Sequence, residues 1–149
     1  MSARTISEST RVYGLFVNLP VADLPRSRAF FEALGFAFNP QFSDDTAACL
    51  VLGERQYAML LTHAKFAAFT SLPIADARQQ TAHLIALSLA DRAEVDRLAE
   101  IAIAKGGSAF RPIEDMGFMY CRAIADPDGH VWELFWMDGV ALQDMQAGA

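Results

Sequence analysis

Few residues in this chain combine a reactive side chain with an unusual setting, and Glu133 is the foremost. It lies in Val131-Trp-Glu-Leu-Phe-Trp-Met137, an otherwise apolar run of strand length. Alternation places Trp132, Leu134 and Trp136 on one face and Val131, Glu133, Phe135 and Met137 on the other. A carboxylate on an apolar wall needs a partner or a raised pKa. Three roles follow: half of a structural ion pair, a binding or general-base group, or a metal ligand. If Pro127-Asp128 is the two-residue loop of a tight hairpin, Arg122 falls opposite Glu133. Tyr120 and Ile124 then share that face. The same register sends Cys121, and by analogy Cys49, to the opposite face as core residues, with no setting that would make either a nucleophile.

The remaining candidates carry less chemistry. His83 precedes a strand and is expected to point away from the side of Leu84. His63 follows a strand end, and His130 opens the last strand, where a turn-stabilising hydrogen bond is its ordinary role. Asp23 and Asp91 read as helix caps. Gly106-Gly107 is a helix stop, and the chain holds no phosphate loop, nucleophile elbow or dinucleotide fingerprint.

These residues must be positioned by one domain, taken as 1–149. The chain has 149 residues, 53% of them hydrophobic, enough to bury about 70% of the unfolded surface. Twelve basic against 18 acidic residues leave a net charge of −6, which argues against nucleic acid held by bulk charge. Two cysteines make no disulfide framework. No apolar run approaches the ~20 residues of a membrane span. The expectation is a cytoplasmic protein with no membrane partner. Met1 to Arg11 read as a polar leader and residues 138–149 as a mobile tail.

The pattern of elements runs strand, helix, three strands, and then repeats. The first set is Val12 to Val21, a helix from Leu24 to Leu34, then Phe36 to Phe42, Ala47 to Leu52 and Tyr57 to Thr62. The second is Leu84 to Leu89, a helix to about Lys105, then Ala109 to Ile113, Phe118 to Ala125 and Val131 to Met137. Residues repeat too. Leu19-Pro-Val-Ala-Asp23 matches Leu87-Ser-Leu-Ala-Asp91 at an offset of 68, Cys49 matches Cys121 at 72, and Leu61 matches Leu134 at 73. Module one is about 12–62, a connector spans 63–81, and module two is about 82–137.

Val21-Ala-Asp-Leu-Pro-Arg-Ser-Arg-Ala-Phe-Phe-Glu-Ala-Leu-Gly35-Phe resembles the opening of the vicinal oxygen chelate superfamily, and Asp126-Pro-Asp-Gly-His-Val-Trp-Glu-Leu134 resembles its closing strand. That superfamily contains glyoxalase I, bleomycin-resistance proteins and extradiol dioxygenases. The resemblance implies an α+β fold of two tandem βαβββ modules whose curled mixed sheets form a cup. It also implies metal-ligand positions at Phe16, Leu60, Leu84 and Glu133, of which only Glu133 keeps a donor. One carboxylate is a poor site for a divalent cation. No cofactor and no stoichiometric metal are therefore expected.

The implied function is the handling of a small, partly apolar oxygenated molecule in the cup. Phe16, Asn18, Leu60, Leu84, Tyr120, Arg122 and Phe135 would line it, with Glu133 as the catalytic candidate. Two alternatives stand: a metal-dependent lyase or dioxygenase with Glu133 as ligand, and a metal-free binder that catalyses nothing. The expected partners are a small molecule and a second copy of the chain in a homodimer.

Overall fold

The computed structural model describes residues 10–147; residues 1–9, which hold most of the expected leader, lie outside them. Strand β1 (Leu15–Val21) leads to helix α1 (Leu24–Ala33). Strands β2 (Ala37–Asn39), β3 (Ala47–Gly53) and β4 (Gln56–Thr62) follow. After α2 (His63–Ala67) and an extended connector come β5 (Leu84–Ser88), α3 (Arg92–Ala104), β6 (Ser108–Ala109), β7 (Glu114–Asp115), β8 (Met119–Ala125) and β9 (Val131–Met137). Helix α4 (Gly139–Ala147) occupies the segment read as a tail, entered through the Asp138 carboxylate, which accepts the Ala141 N–H at 2.8 Å.

The duplication is visible in the pairing. One sheet runs β1-β4-β3-β2 and the other β5-β9-β8-β6, with β7 also on β8. In each, the first strand pairs parallel with the last, and the other pairs are antiparallel. Asp23 and Asp91 open the two helices as caps, accepting the N–H groups of Arg26 and Glu94. Neither sheet closes on itself. Helices α1 and α3 cover one face of the sheets and touch each other, so both modules share one core. Phe31 packs edge-on against Trp132 at 5.2 Å, joining the first helix to the last strand. The face of each sheet turned away from α1 and α3 is called the open face below.

The turn between β8 and β9 departs from the two-residue loop. The Gly129 N–H donates to the Asp126 carbonyl at 2.9 Å, and the Asp126 N–H to the His130 carbonyl at 2.9 Å. Gly129 has φ +92°, a conformation that favours glycine, so three residues form the loop. The register moves by one: Arg122 pairs with Leu134, and Glu133 with Ala123. A shift of one residue sends every side chain of β8 to the other face. Tyr120 and Arg122 therefore lie on the helix side, and Cys121 on the open face.

Module one carries the same correction. Phe16 pairs with Tyr57 and Leu84 with Val131, which sets the offset of the last strand at 74, not 73. Leu60 thus matches Leu134, both in the core, and Met59 matches Glu133 on the open face.

Candidate functional site

Glu133 does have an arginine partner, and it is Arg111. The Arg111 Nη2 donates to Glu133 Oε2 at 2.5 Å and approaches Cys121 Sγ at 3.7 Å. Its Nε donates to Glu114 Oε1 at 2.7 Å. Arg111 follows β6 in Phe110-Arg-Pro-Ile113, where Pro112 breaks the expected strand and lets the chain turn onto the sheet. The hydrogen bond to Glu114, and then that to Glu133, hold the guanidinium above its usual pKa. Burial pushes the Cys121 thiol up, and the Cys49 thiol likewise, which keeps both protonated and poor as nucleophiles.

Arg122 belongs to a separate cluster. It donates to Asp96 at 3.1 Å and pairs with Glu100 at 2.8 Å, both on α3. Tyr120 donates its hydroxyl to the same Asp96 at 2.7 Å. That bond raises the tyrosine pKa and lowers that of the aspartate. Both residues serve the helix–sheet contact and not the open face.

The other expected lining residues divide. Phe16 is exposed on the open face and stacks on Tyr57 at 4.7 Å. Leu84 is exposed nearby on β5. Leu60 is fully buried in the core. Phe135 lines a crevice between the modules with Leu15, Tyr57 and Ser88. Asn18 lines a different cavity.

That cavity, of about 270 Å³, lies where the connector crosses from module one to module two. Its floor is Asn18 and Pro20 of β1 with Val131 of β9. Phe66 of α2 and Leu72 and Ile74 of the connector form a partial apolar roof, open to solvent at Leu72, which is 74% exposed. Thr70, Gln80, Thr81 and His83 add polar groups. The connector rests directly on the turn: a Cβ added to Gly129 would stand 2.6 Å from the Arg78 backbone nitrogen. His83 and His130 both line this space, their rings nearly parallel with centroids 6.1 Å apart. The His130 ring donates Nε2–H to the Pro20 carbonyl at 2.8 Å and so fastens the modules together, while its backbone N–H, given to the Asp126 carboxylate at 3.0 Å, stabilises the turn. His63 lines a neighbouring cavity of about 230 Å³, whose wall His130 shares. Sequence patterns missed this enclosure because the connector that covers it carries no regular periodicity.

Residues 15–53 match the model of the bleomycin resistance protein-like N-terminal family. Among solved structures, a glyoxalase-related enzyme from Fulvimarina pelagi is 24% identical, with a TM-score of 0.69 over 81% of this chain and 85% of that one. A glyoxalase/bleomycin resistance protein/dioxygenase family enzyme from Burkholderia phytofirmans is 18% identical, TM-score 0.68, over 83% and 97%. The fosfomycin resistance protein FosX from Mesorhizobium loti is 18% identical, TM-score 0.64, over 89% and 98%. No curated protein matches the chain. The fold is that of the vicinal oxygen chelate superfamily. The opening of the chain, residues 15–53, is similar in sequence to the bleomycin resistance protein-like N-terminal family.

Many proteins of this fold hold a metal, and the residues here do not fit one. With the register corrected, the relevant positions are Phe16, Met59, Leu84 and Glu133. The first three offer no oxygen or imidazole, and the fourth already binds a guanidinium, whose charge repels a cation. No group of three or more His, Cys, Asp or Glu able to hold a metal ion occurs among the described residues. Protein purified without added metal is expected to contain well under one equivalent of Zn, Ni, Fe or Mn by elemental analysis. One equivalent that disappears in Glu133→Gln would overturn this.

Proposed function

We propose that this protein binds a small, partly apolar molecule in the cavity between β1, the connector and the β8–β9 turn, without a metal ion. The observation that supports this reading is the cavity itself: apolar walls, a few converging polar groups, and a position between two modules, as small-molecule sites commonly have. The Glu133 cluster supports it indirectly, because a carboxylate locked to Arg111 and a protonated thiol offer no activated group for a lyase or dioxygenase step.

The test is chemical-shift mapping with small aromatic and aliphatic alcohols and ketones. Shifts are expected at Asn18, Ile74, His83 and Val131, and Ala82→Phe, which adds a ring at the cavity wall, should weaken them. Shifts confined to the surroundings of Glu133 and Arg111 would overturn the assignment and return the site to the open face.

We also infer a homodimer. Phe16, Leu84, Phe110 and Ile113 are all about half exposed, and a second copy would cover them. A monomer mass by light scattering at micromolar concentration would contradict it.

A further inference from the structure

The turn that carries His130 satisfies its polar groups with one exception. The Asp126 carboxylate accepts the N–H groups of Asp128 and His130 and the Trp132 indole N–H, at 2.9–3.0 Å. Asp128 reaches back to accept the Ala22 N–H at 2.8 Å and the Ser27 hydroxyl at 3.2 Å. The exception is His130 Nδ1, which is buried and has no hydrogen-bond partner among the described residues.

The chemical state of that nitrogen follows from the other one. Nε2 lies 2.8 Å from the Pro20 carbonyl oxygen, which can only accept, so Nε2 carries the hydrogen. In the neutral ring Nδ1 is then a bare lone pair. His130 is only 4% exposed, and an unmet acceptor at that depth is costly. Its ring forms part of the wall of the 270 Å³ cavity.

We propose that the ligand of this cavity is an uncharged apolar molecule bearing a hydroxyl group, and that the hydroxyl donates to His130 Nδ1. This rests on the cavity being the binding site. The lining contains Asn18, Thr70, Gln80, Thr81 and His83 but no carboxylate, so an ammonium donor would lack a counter-ion. The apolar roof suits a ring or short chain beyond the hydroxyl. Nδ1 is covered in the ligand-free protein, so a lining side chain must shift to admit the donor, and the exposed His83 ring, nearly parallel to that of His130 with centroids 6.1 Å apart, borders the same cavity.

Phenol and toluene are the probes, since they differ in size very little and in the hydroxyl entirely. Both are titrated by NMR into the wild-type protein and into His130→Gln. In that variant the side-chain amide can still donate toward Pro20, but no acceptor stands at the Nδ1 position. The ratio of phenol to toluene affinity is expected to fall about tenfold in the variant, the size of one hydrogen bond to a buried acceptor. In the wild type the His130 Nδ1 nitrogen resonance should move with phenol and stay fixed with toluene. If both probes bind but the ratio holds, or the resonance does not move, the hydroxyl proposal is wrong while the cavity reading survives. If neither probe binds, both are wrong. Should His130→Gln fail to fold, the wild-type nitrogen resonance decides alone.

Discussion

Arg111→Met should lower stability by about 2 kcal/mol, and adding Glu133→Leu to it should recover most of the loss. A buried pair that loses one partner typically costs about 3–5 kcal/mol, because a charge is stranded in an apolar setting. An exposed pair costs about 0–1 kcal/mol. Here the Arg111 side chain is 29% exposed and that of Glu133 20%, which places the loss between those limits. Glu114 would also lose its guanidinium partner, but at 39% exposure water replaces it cheaply. The double change removes both charges and leaves two apolar side chains against Cys121 and Phe135. Arg122→Met supplies the contrast. It breaks contacts to Asp96 and Glu100 on α3, so its effect should add to that of Glu133→Leu within ~0.5 kcal/mol. Urea midpoints of the single and double variants measure both cycles. Coupling of Glu133 to Arg122, with additivity toward Arg111, would overturn the register of the last hairpin.

Asp126→Ala should be more damaging still, with a loss of about 3 kcal/mol and a fall in Tm of roughly 10 °C. Three N–H donors converge on this carboxylate, and the alanine variant leaves them without an acceptor next to the Phe31–Trp132 contact. Asp126→Asn should fall between. Its amide oxygen keeps the two backbone bonds and its NH2 meets the indole N–H. The comparison with asparagine also has a pH signature. Burial pushes the Asp126 carboxyl above its ordinary value of 3.8, so folding favours its protonated form. The stability this supplies is full below about 3.8 and is lost as pH rises through the raised value. Asparagine does not titrate, so the wild-type advantage over Asp126→Asn should shrink as pH rises from the acid end. An advantage that grows with pH there would mean that the three donors outweigh the burial.

The modules, their order and the faces of β9 were legible in the sequence because each has a strong local signal. Phe30, Phe31 and Leu34 recur at helical spacing, Asp23 and Asp91 sit at matching cap positions, and Trp132, Leu134 and Trp136 alternate. The open face was less legible for one physical reason. Gly129 can adopt a positive φ, and that lengthens the turn by one residue. Strand faces alternate with every residue, so this single difference moved Tyr120, Arg122 and Cys121 together, and a one-residue slip in the repeat moved Leu60. Arg111 was hidden by a second local feature. Pro112 ends a strand that composition alone extends to Ile113, and the arginine then turns onto the sheet from a segment with no periodicity. The cavity was least legible, because much of its lining comes from the connector, which has local turns at Thr70 and Asp76 but no periodicity to show that it packs against Gly129.

The Asp128 carboxylate takes the Ala22 N–H across 106 residues of chain, and His130 grips Pro20 across 110. These bonds finish the corner between β1 and α1 from the far end of the sequence. During synthesis, the first module leaves the ribosome with that corner incomplete and with Phe31 lacking its Trp132 contact. Those two bonds form only once residues 128–130 have been made. Because both modules share one core, the first module alone would leave the inner side of α1 without the α3 and Trp132 contacts that cover it in the whole chain.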